Sequence, residues 1–249
     1  MNVLITGAAN GIGESTAYKF AKAGYNVFII DVDQRGKEVA DNIQREHADV
    51  KAWFHEADVS DSAQVNAAVL AMAGLTGGKI DVLVNNAGVI VPVASGYPTI
   101  ETLTDEALRR QYEINTFSMY YTCRAVVPYM KAAKKGRIVN VASLAVFGLG
   151  ANCHYAGSKG AVEALTRSLA MELAPDISVI GIAPGLIETA LISQASEEAR
   201  NKFTSQTLTG KFISRWEVAN QIVHLSHPDN MSFTGQVIHF NAGHTRQFK

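Results

Sequence analysis

The sequence predicts one α/β domain, a doubly wound parallel sheet of about seven strands with helices on both faces. Three observations carry that expectation. Short apolar runs alternate with longer amphipathic segments almost to the end of the chain, the pattern of parallel strands joined by helical crossovers. Of 249 residues, 47% are apolar and 18% charged, enough for a sizeable core. No Pro-, Gly- or Ser-rich linker and no internal repeat interrupts the chain, so a single domain over 1–249 is expected.

The elements follow in order. VLIT (3–6) is the first apolar run, and TGAANGIG (6–13) leaves it as a glycine-rich turn that opens a helix. NVFIID (26–31) is the second run and ends on an acid; VKAWFHEAD (50–58) and IDVLVN (80–85) are the third and fourth. An irregular stretch at 88–101 follows, then a helix carrying YEINTFSMYY, then the fifth run, RIVNVAS (137–143). HYAGSKGA (154–161) begins a long helix on which Leu165, Leu169 and Leu173 recur one turn apart. ISVIGIAP (177–184) is the sixth run. After it, 185–214 is irregular apart from a helical segment near SEEARNKF, and QVIHF (236–240) closes the set. In such sheets the loops leaving the carboxyl ends of strands build the ligand sites, so 88–101 and 185–214 are the expected substrate loops.

Several function classes are disfavoured. The formal net charge is -1 with no long basic run, against the electrostatic footprint of a nucleic-acid partner. No apolar segment reaches membrane-spanning length and no leader is evident, so a cytoplasmic location without a membrane partner is the default expectation. Cys123 and Cys153 lack CxxC spacing and read as reduced and structural. His224 and His227 in HLSH have no acidic or thiol partner beside them; a helix end before Pro228 is the better reading than a metal site, and no metal is expected.

Positive signals come from separated segments. Gly7, Gly11 and Gly13 between a strand and a helix permit a tight turn, close backbone approach to a pyrophosphate, and close helix–strand packing. Asp31, about twenty residues on, ends the second strand where a carboxylate accepts hydrogen bonds from the adenosine ribose hydroxyls. A 2′-phosphate would meet a like charge there. No Arg or Lys lies within the turn, although Arg35 is close by, so NAD is expected over NADP in a Rossmann-type fold. Tyr155 and Lys159 share a helix face at i,i+4, a spacing that serves either chemistry or a solvated surface.

Together these segments resemble the short-chain dehydrogenases/reductases. TGAANGIG matches that family's cofactor turn, DVS (58–60) its adenine-side motif, NNAG (85–88) its fourth-strand motif and YAGSK (155–159) its catalytic motif. PGLIET (184–189) and TGQVIHFNAG (234–243) resemble its later segments. The resemblance implies a catalytic set of Asn115, Ser143, Tyr155 and Lys159. It implies cofactor contacts from Gly7, Asn10, Gly11, Ile12, Gly13 and Asp31, from Asp58 and Val59 near the adenine, and from Asn85, Ala87 and Gly88 near its ribose. Tyr155 and Lys159 are implied at the nicotinamide ribose, and Pro184, Gly185, Ile187 and Thr189 around the nicotinamide. Thr189 reads equally as a helix N-cap. Asn115 is implied to kink its helix and hold a water on the lysine; from the residues alone it is a cap or packing group. A homotetramer or homodimer is implied by the resemblance only.

The implied chemistry is hydride transfer between a secondary alcohol or ketone and the nicotinamide. A phenol of pKa about 10 is a poor base near neutrality. Lowering it by about 3 units needs roughly 4 kcal/mol, and an ammonium about 5 Å away at an effective dielectric near 20 offers roughly 3 kcal/mol. Lys159 is therefore expected to depress the Tyr155 pKa, most strongly with NAD bound. Leu144, Val146, Leu149, Leu186, Leu191 and Ile192 are the expected apolar substrate wall, with Cys153 nearby and His154 on the solvent side of its helix. Three departures from the family pattern stand out: a Ser143–Tyr155 interval one residue short, a longer segment from NNAG to Asn115, and Ile180 in place of an asparagine. The alternatives are a β-ketoacyl-thioester reductase using NADPH, which NAGH (241–244) resembles, and a non-catalytic NAD-binding regulator.

Overall fold

The computed structural model describes residues 1–188 and 196–244. Seven strands form one sheet in the order β3-β2-β1-β4-β5-β6-β7, all pairs parallel. They are β1 (Asn2–Thr6), β2 (Asn26–Asp31), β3 (Ala52–Glu56), β4 (Val82–Asn85), β5 (Gly136–Val141), β6 (Ile177–Pro184) and β7 (Val237–Phe240). Each apolar run of the sequence falls on one strand. The third is the most trimmed: its ladder with β2 ends where Ala57 N–H donates to the Asp31 carbonyl, and Asp58 then turns away to receive Ser60.

The helices are α1 (Gly11–Lys22), α2 (Arg35–Glu46), α3 (Ser62–Thr76), α4 (Asp105–Tyr112), α5 (Ser118–Ala133), α6 (Cys153–Leu173), α7 (Glu197–Thr204) and α8 (Arg215–Ser226). Period-two alternation divides the strands between two helical layers. Val3, Ile5, Val27 and Ile29 pack against α1, α2 and α8 through Phe20, Ile43 and Ile222. Leu4, Phe28, Ile30 and Leu83 pack against α3, α5 and α6 through Val69, Met72, Val126 and Leu173. Ile180 belongs to the first layer and is fully buried, so an apolar side chain suits the position.

Two features of this packing set up the site. Strand β1 lies between β2 and β4, so the chain winds outward in opposite directions from it and a crevice opens at the carboxyl ends. Beneath the crevice a buried polar chain ties four elements together. The Thr122 hydroxyl donates to Asn85 Oδ1 (2.6 Å), Asn85 Nδ2 to Asn140 Oδ1 (2.9 Å), and Asn140 Nδ2 to the Thr166 hydroxyl (3.0 Å). Because every member is satisfied, the network fixes α5 and α6 against β4 and β5.

Helices α4 and α5 run on through a π-helical turn, Glu113–Phe117, which holds the fully buried Asn115. Such turns widen a helix locally. Here the Thr116 hydroxyl donates to the Ser158 carbonyl on α6 (3.1 Å). Among the described residues no helix is long and apolar enough to cross a membrane. Nor, among them, do His, Cys, Asp and Glu side chains group as metal ligands; His224 and His227 sit at the end of α8. Thr189, Leu191 and Ile192 lie outside the described residues.

Candidate active site

A cleft of about 960 Å³ occupies the crevice, lined from β1, β2, β4, β5, β6 and the loops that follow them. Its first wall is the glycine turn. Gly7 has φ +67° and lies so close to the strand-four loop that a Cβ would come 2.7 Å from the Ala87 Cα. Asn86 Nδ2 donates to the Thr6 carbonyl (3.0 Å) and the Gly7 carbonyl (2.8 Å), while the Thr6 hydroxyl accepts from the Asn86 and Ala87 N–H groups (3.1 Å each). Gly13 does not line the cleft; it allows α1 to close on this turn, since a Cβ there would overlap the Gly7 carbonyl and the Asn86 amide. Gly13→Ala is therefore expected to destabilise the fold by at least ~2 kcal/mol by overpacking, measured as a lowered denaturant midpoint.

Asn10, Gly11 and Ile12 present the α1 N-terminus to the cleft. The Asn10 side chain makes no capping bond, leaving the first-turn amides available for an anion. Asp31 closes this end, accepting from Ala9 N–H (2.8 Å) and Asp33 N–H (3.1 Å). Asp33 also lines the cleft and holds Arg35 in an ion pair; the Arg35 hydrogen bonds keep its carboxyl below the usual range. Asp58 and Val59 form the adjoining edge with Arg110, whose guanidinium meets Asp58 Oδ2 at 2.9 Å. Burial pushes the Asp58 carboxyl up, but Ser60 and Arg110 outweigh it and the net shift is downward.

The cleft is also lined by Ser143, Tyr155 and Lys159. Ser143 follows β5, and its hydroxyl accepts from Ala145 N–H (3.1 Å) at the start of a 3-10 turn. Lys159 is 3% exposed and its ammonium donates to the Val141 carbonyl (2.8 Å); burial drops its pKa to about 8. Tyr155 departs from the expectation of a depressed pKa. Burial raises it, and a hydrogen bond with Ser143 only partly offsets the rise. Removing a phenol from water disfavours its anion, and in the ligand-free chain that effect wins.

Pro184, Gly185 and Ile187 complete the cleft with Glu188 and Arg215, the latter paired with Glu14 of α1. Gly88 passes directly over the lysine, where a Cβ would lie 3.1 Å from Lys159 Nζ and 3.5 Å from Asn115 Oδ1. Asn115 itself bonds Val89 and Ser158.

A family model described as short chain dehydrogenase matches residues 1–200. The chain belongs to the short-chain dehydrogenase family. It is 34% identical over 244 residues to the 3-oxoacyl-(acyl-carrier-protein) reductase FabG of Thermotoga maritima, covering 96% of each chain. It is 32% identical to the L-2,3-butanediol dehydrogenase of Corynebacterium glutamicum, again covering 96% of each. Among solved structures it is similar to a variant of actinorhodin polyketide ketoreductase crystallised with NADPH. That match has 29% identity and a TM-score of 0.88, covering 97% of this chain and 96% of the other.

Within this dehydrogenase fold several sequence expectations need correction. The Asn85 side chain turns into the core, bonded to Asn140 and Thr122, and Asn86 faces the cleft instead. Strand parity could not have shown this, since both faces of β4 are buried. Leu144 is buried, while Val146, Leu149 and Leu186 are half-buried and do not line the cleft. Its apolar lining includes Val89, Ile90, Ile114 and Ile187. Cys123 is buried, with its thiol pushed up to about 12, but Cys153 is exposed, so a structural role holds for one of the two. His154 is buried rather than on the solvent side. Arg110 and Arg215 were illegible as cleft residues, because only the fold brings their elements together; Asp33, two residues after Asp31, was overlooked.

Proposed function

We propose that this short-chain dehydrogenase is an NAD(H)-dependent oxidoreductase acting on a secondary alcohol or ketone. The observation that carries the reading is that one cleft is lined both by Ser143, Tyr155 and Lys159 and by the glycine turn with Asp31. The residues fit a dinucleotide: open first-turn amides face the cleft, and the volume suits a cofactor with a small substrate. Gly7, Asn10, Gly11 and Ile12 would hold the pyrophosphate, Asp31 the adenosine ribose, Asp58 and Val59 the adenine edge. Ala87 and Gly88 would pass the cofactor on its way to Lys159, with Pro184, Gly185 and Ile187 against the nicotinamide; Thr189 is proposed there from the motif alone.

Bound NAD supplies the hydride acceptor. Ser143 holds the substrate oxygen against the Tyr155 hydroxyl. In oxidation Tyr155, as phenolate, takes the alcohol proton while the carbon gives up hydride; in reduction the same hydroxyl returns the proton to the carbonyl oxygen. Lys159, in a site screened from water, stabilises the phenolate, and the π-turn around Asn115 leads the proton route toward solvent. A panel of secondary alcohols, sugars and hydroxy acids, followed by NADH absorbance, tests the reading. No turnover on any of them despite NADH binding would favour a non-catalytic regulator.

The choice of NAD rests on the acids at the ribose end. The ketoreductase neighbour was solved with NADPH, yet here Asp31 and Asp33 both line the pocket and Arg35 is engaged by Asp33. A 2′-phosphate would face two carboxylates, with the Arg35 guanidinium already paired to one of them. At least tenfold tighter binding of NADH than NADPH is expected by calorimetry, about 1.4 kcal/mol; the reverse preference would favour the ketoacyl-thioester reductase reading.

We also propose a homodimer or homotetramer, built on the α5–α6 face. A groove there is lined by Tyr120, Val127, Leu165 and Leu169, and light scattering reports the state.

A further inference from the structure

The geometry points to His154 and Gln111 as positioning residues that hold residues 89–91 as the substrate-side rim of the cleft. The segment leaves β4 without a neighbouring strand, yet four of its peptide groups are paired. Val89 N–H donates to Asn115 Oδ1 (2.9 Å), and the Val89 carbonyl accepts from Asn115 Nδ2 (3.0 Å) and Gln111 Nε2 (2.7 Å). Val91 N–H donates to Gln111 Oε1 (2.9 Å), and the Val91 carbonyl accepts from His154 Nε2 (2.9 Å). A carbonyl only accepts, so the imidazole carries its proton on Nε2 in this contact.

Gln111, near the end of α4, and Asn115, in the π-helical turn that follows, lie about one turn apart and so present their two amides to the same short stretch of chain. Gln111 and Asn115 are fully buried and His154 is 2% exposed, so these bonds are shielded from water.

The backbone of residues 89 and 91 is thus tied to α4, the π-turn and α6, while Val89 and Ile90 line the cleft. His154 immediately precedes Tyr155, so the clamp registers this rim against the phenol. A second tie, Asn152 N–H to the Pro98 carbonyl (2.9 Å), anchors the far end of the loop to the start of the same helix. The rim sets where the apolar body of a substrate rests, and with it the selectivity between alcohols.

Amide hydrogen exchange on the full chain tests the clamp without any turnover. In Gln111→Met, which keeps the volume but loses both hydrogen bonds, exchange at Val91 is expected to rise about tenfold. His154→Ala is expected to speed exchange across 89–91, and His154→Gln, which keeps a donor, to restore most of the protection. Amides of β5 and the NADH dissociation constant stay unchanged. If His154→Ala does not fold, Gln111→Met carries the same measurement. Unchanged exchange over 89–91 would overturn the clamp.

The kinetic arm rests on the dehydrogenase reading and uses the best alcohol of the panel. KM is expected to rise about tenfold in His154→Ala with kcat within threefold, and His154→Gln to recover it. Faster exchange with an unaltered KM would overturn the selectivity role. Absence of turnover in wild type would sink the dehydrogenase reading while leaving the exchange result to decide the clamp.

Discussion

Tyr155→Phe is expected to lower kcat/KM by about 10³, within the range of a positioned general acid–base, while leaving NADH affinity and the melting temperature nearly unchanged. The substitution removes one oxygen. Tyr155 lines the cleft, and its ring remains to fill the same space. The lost group is the hydrogen-bonding partner of Ser143, so the oxygen that would exchange the proton and the hydroxyl that would hold the substrate are uncoupled together. Steady-state kinetics with parallel NADH titration separates this outcome from a folding defect. Ordinary turnover in the Phe variant would remove Tyr155 from the mechanism.

Lys159→Met is expected to act in opposite directions on activity and stability. On the proposed mechanism activity falls by about 10³, since the phenolate would lose its cation in a site where burial already disfavours the anion. Stability of the ligand-free chain rises at pH 7. A folded pKa of about 8 against the ordinary lysine value of about 10.4 represents roughly 3 kcal/mol of penalty for keeping the ammonium buried and charged. Part is returned when the Val141 carbonyl loses its donor, about 1–2 kcal/mol, leaving a net gain of about 1–2 kcal/mol.

The pH dependence identifies the cause. Below about pH 8 the lysine is charged in both folded and unfolded chains, so the penalty is fully present and independent of pH. Between that value and the unfolded pKa of about 10.4, the unfolded chain binds more protons. The wild type therefore gains stability as pH rises through this window, and its difference from Lys159→Met narrows. Urea denaturation of both proteins at pH 7 and pH 10 measures this directly. A difference unchanged with pH would show that desolvation of Lys159 is not its source.

How much of this was legible depends on the range of the interactions involved. The apolar runs marked the strands because a strand buried on both faces must be apolar along its length, and Val3 through Ile5 are indeed fully buried. The glycine turn was legible because its constraint is local: φ +67° at Gly7 and the crowding of Gly13 are met by the absence of a Cβ. Asn85 was misplaced because the motif holds two adjacent asparagines, and only its hydrogen bonds with Asn140 and Thr122, 55 and 37 positions away, show which of them turns into the core. His154 was misplaced because its partner, Val91, lies 63 positions away, beyond anything a helical pattern reports.

The sequence by itself determined the α/β alternation, the family, and the presence of Ser143, Tyr155 and Lys159 at their spacing, because these follow from periodicity and short motifs. Tertiary structure alone decided which asparagine faces the cleft, which carbonyl takes the lysine, and which way the tyrosine's pKa moves. Those outcomes depend on desolvation and on hydrogen bonds between distant segments, and both exist only once the sheet has brought the segments together and removed the water between them.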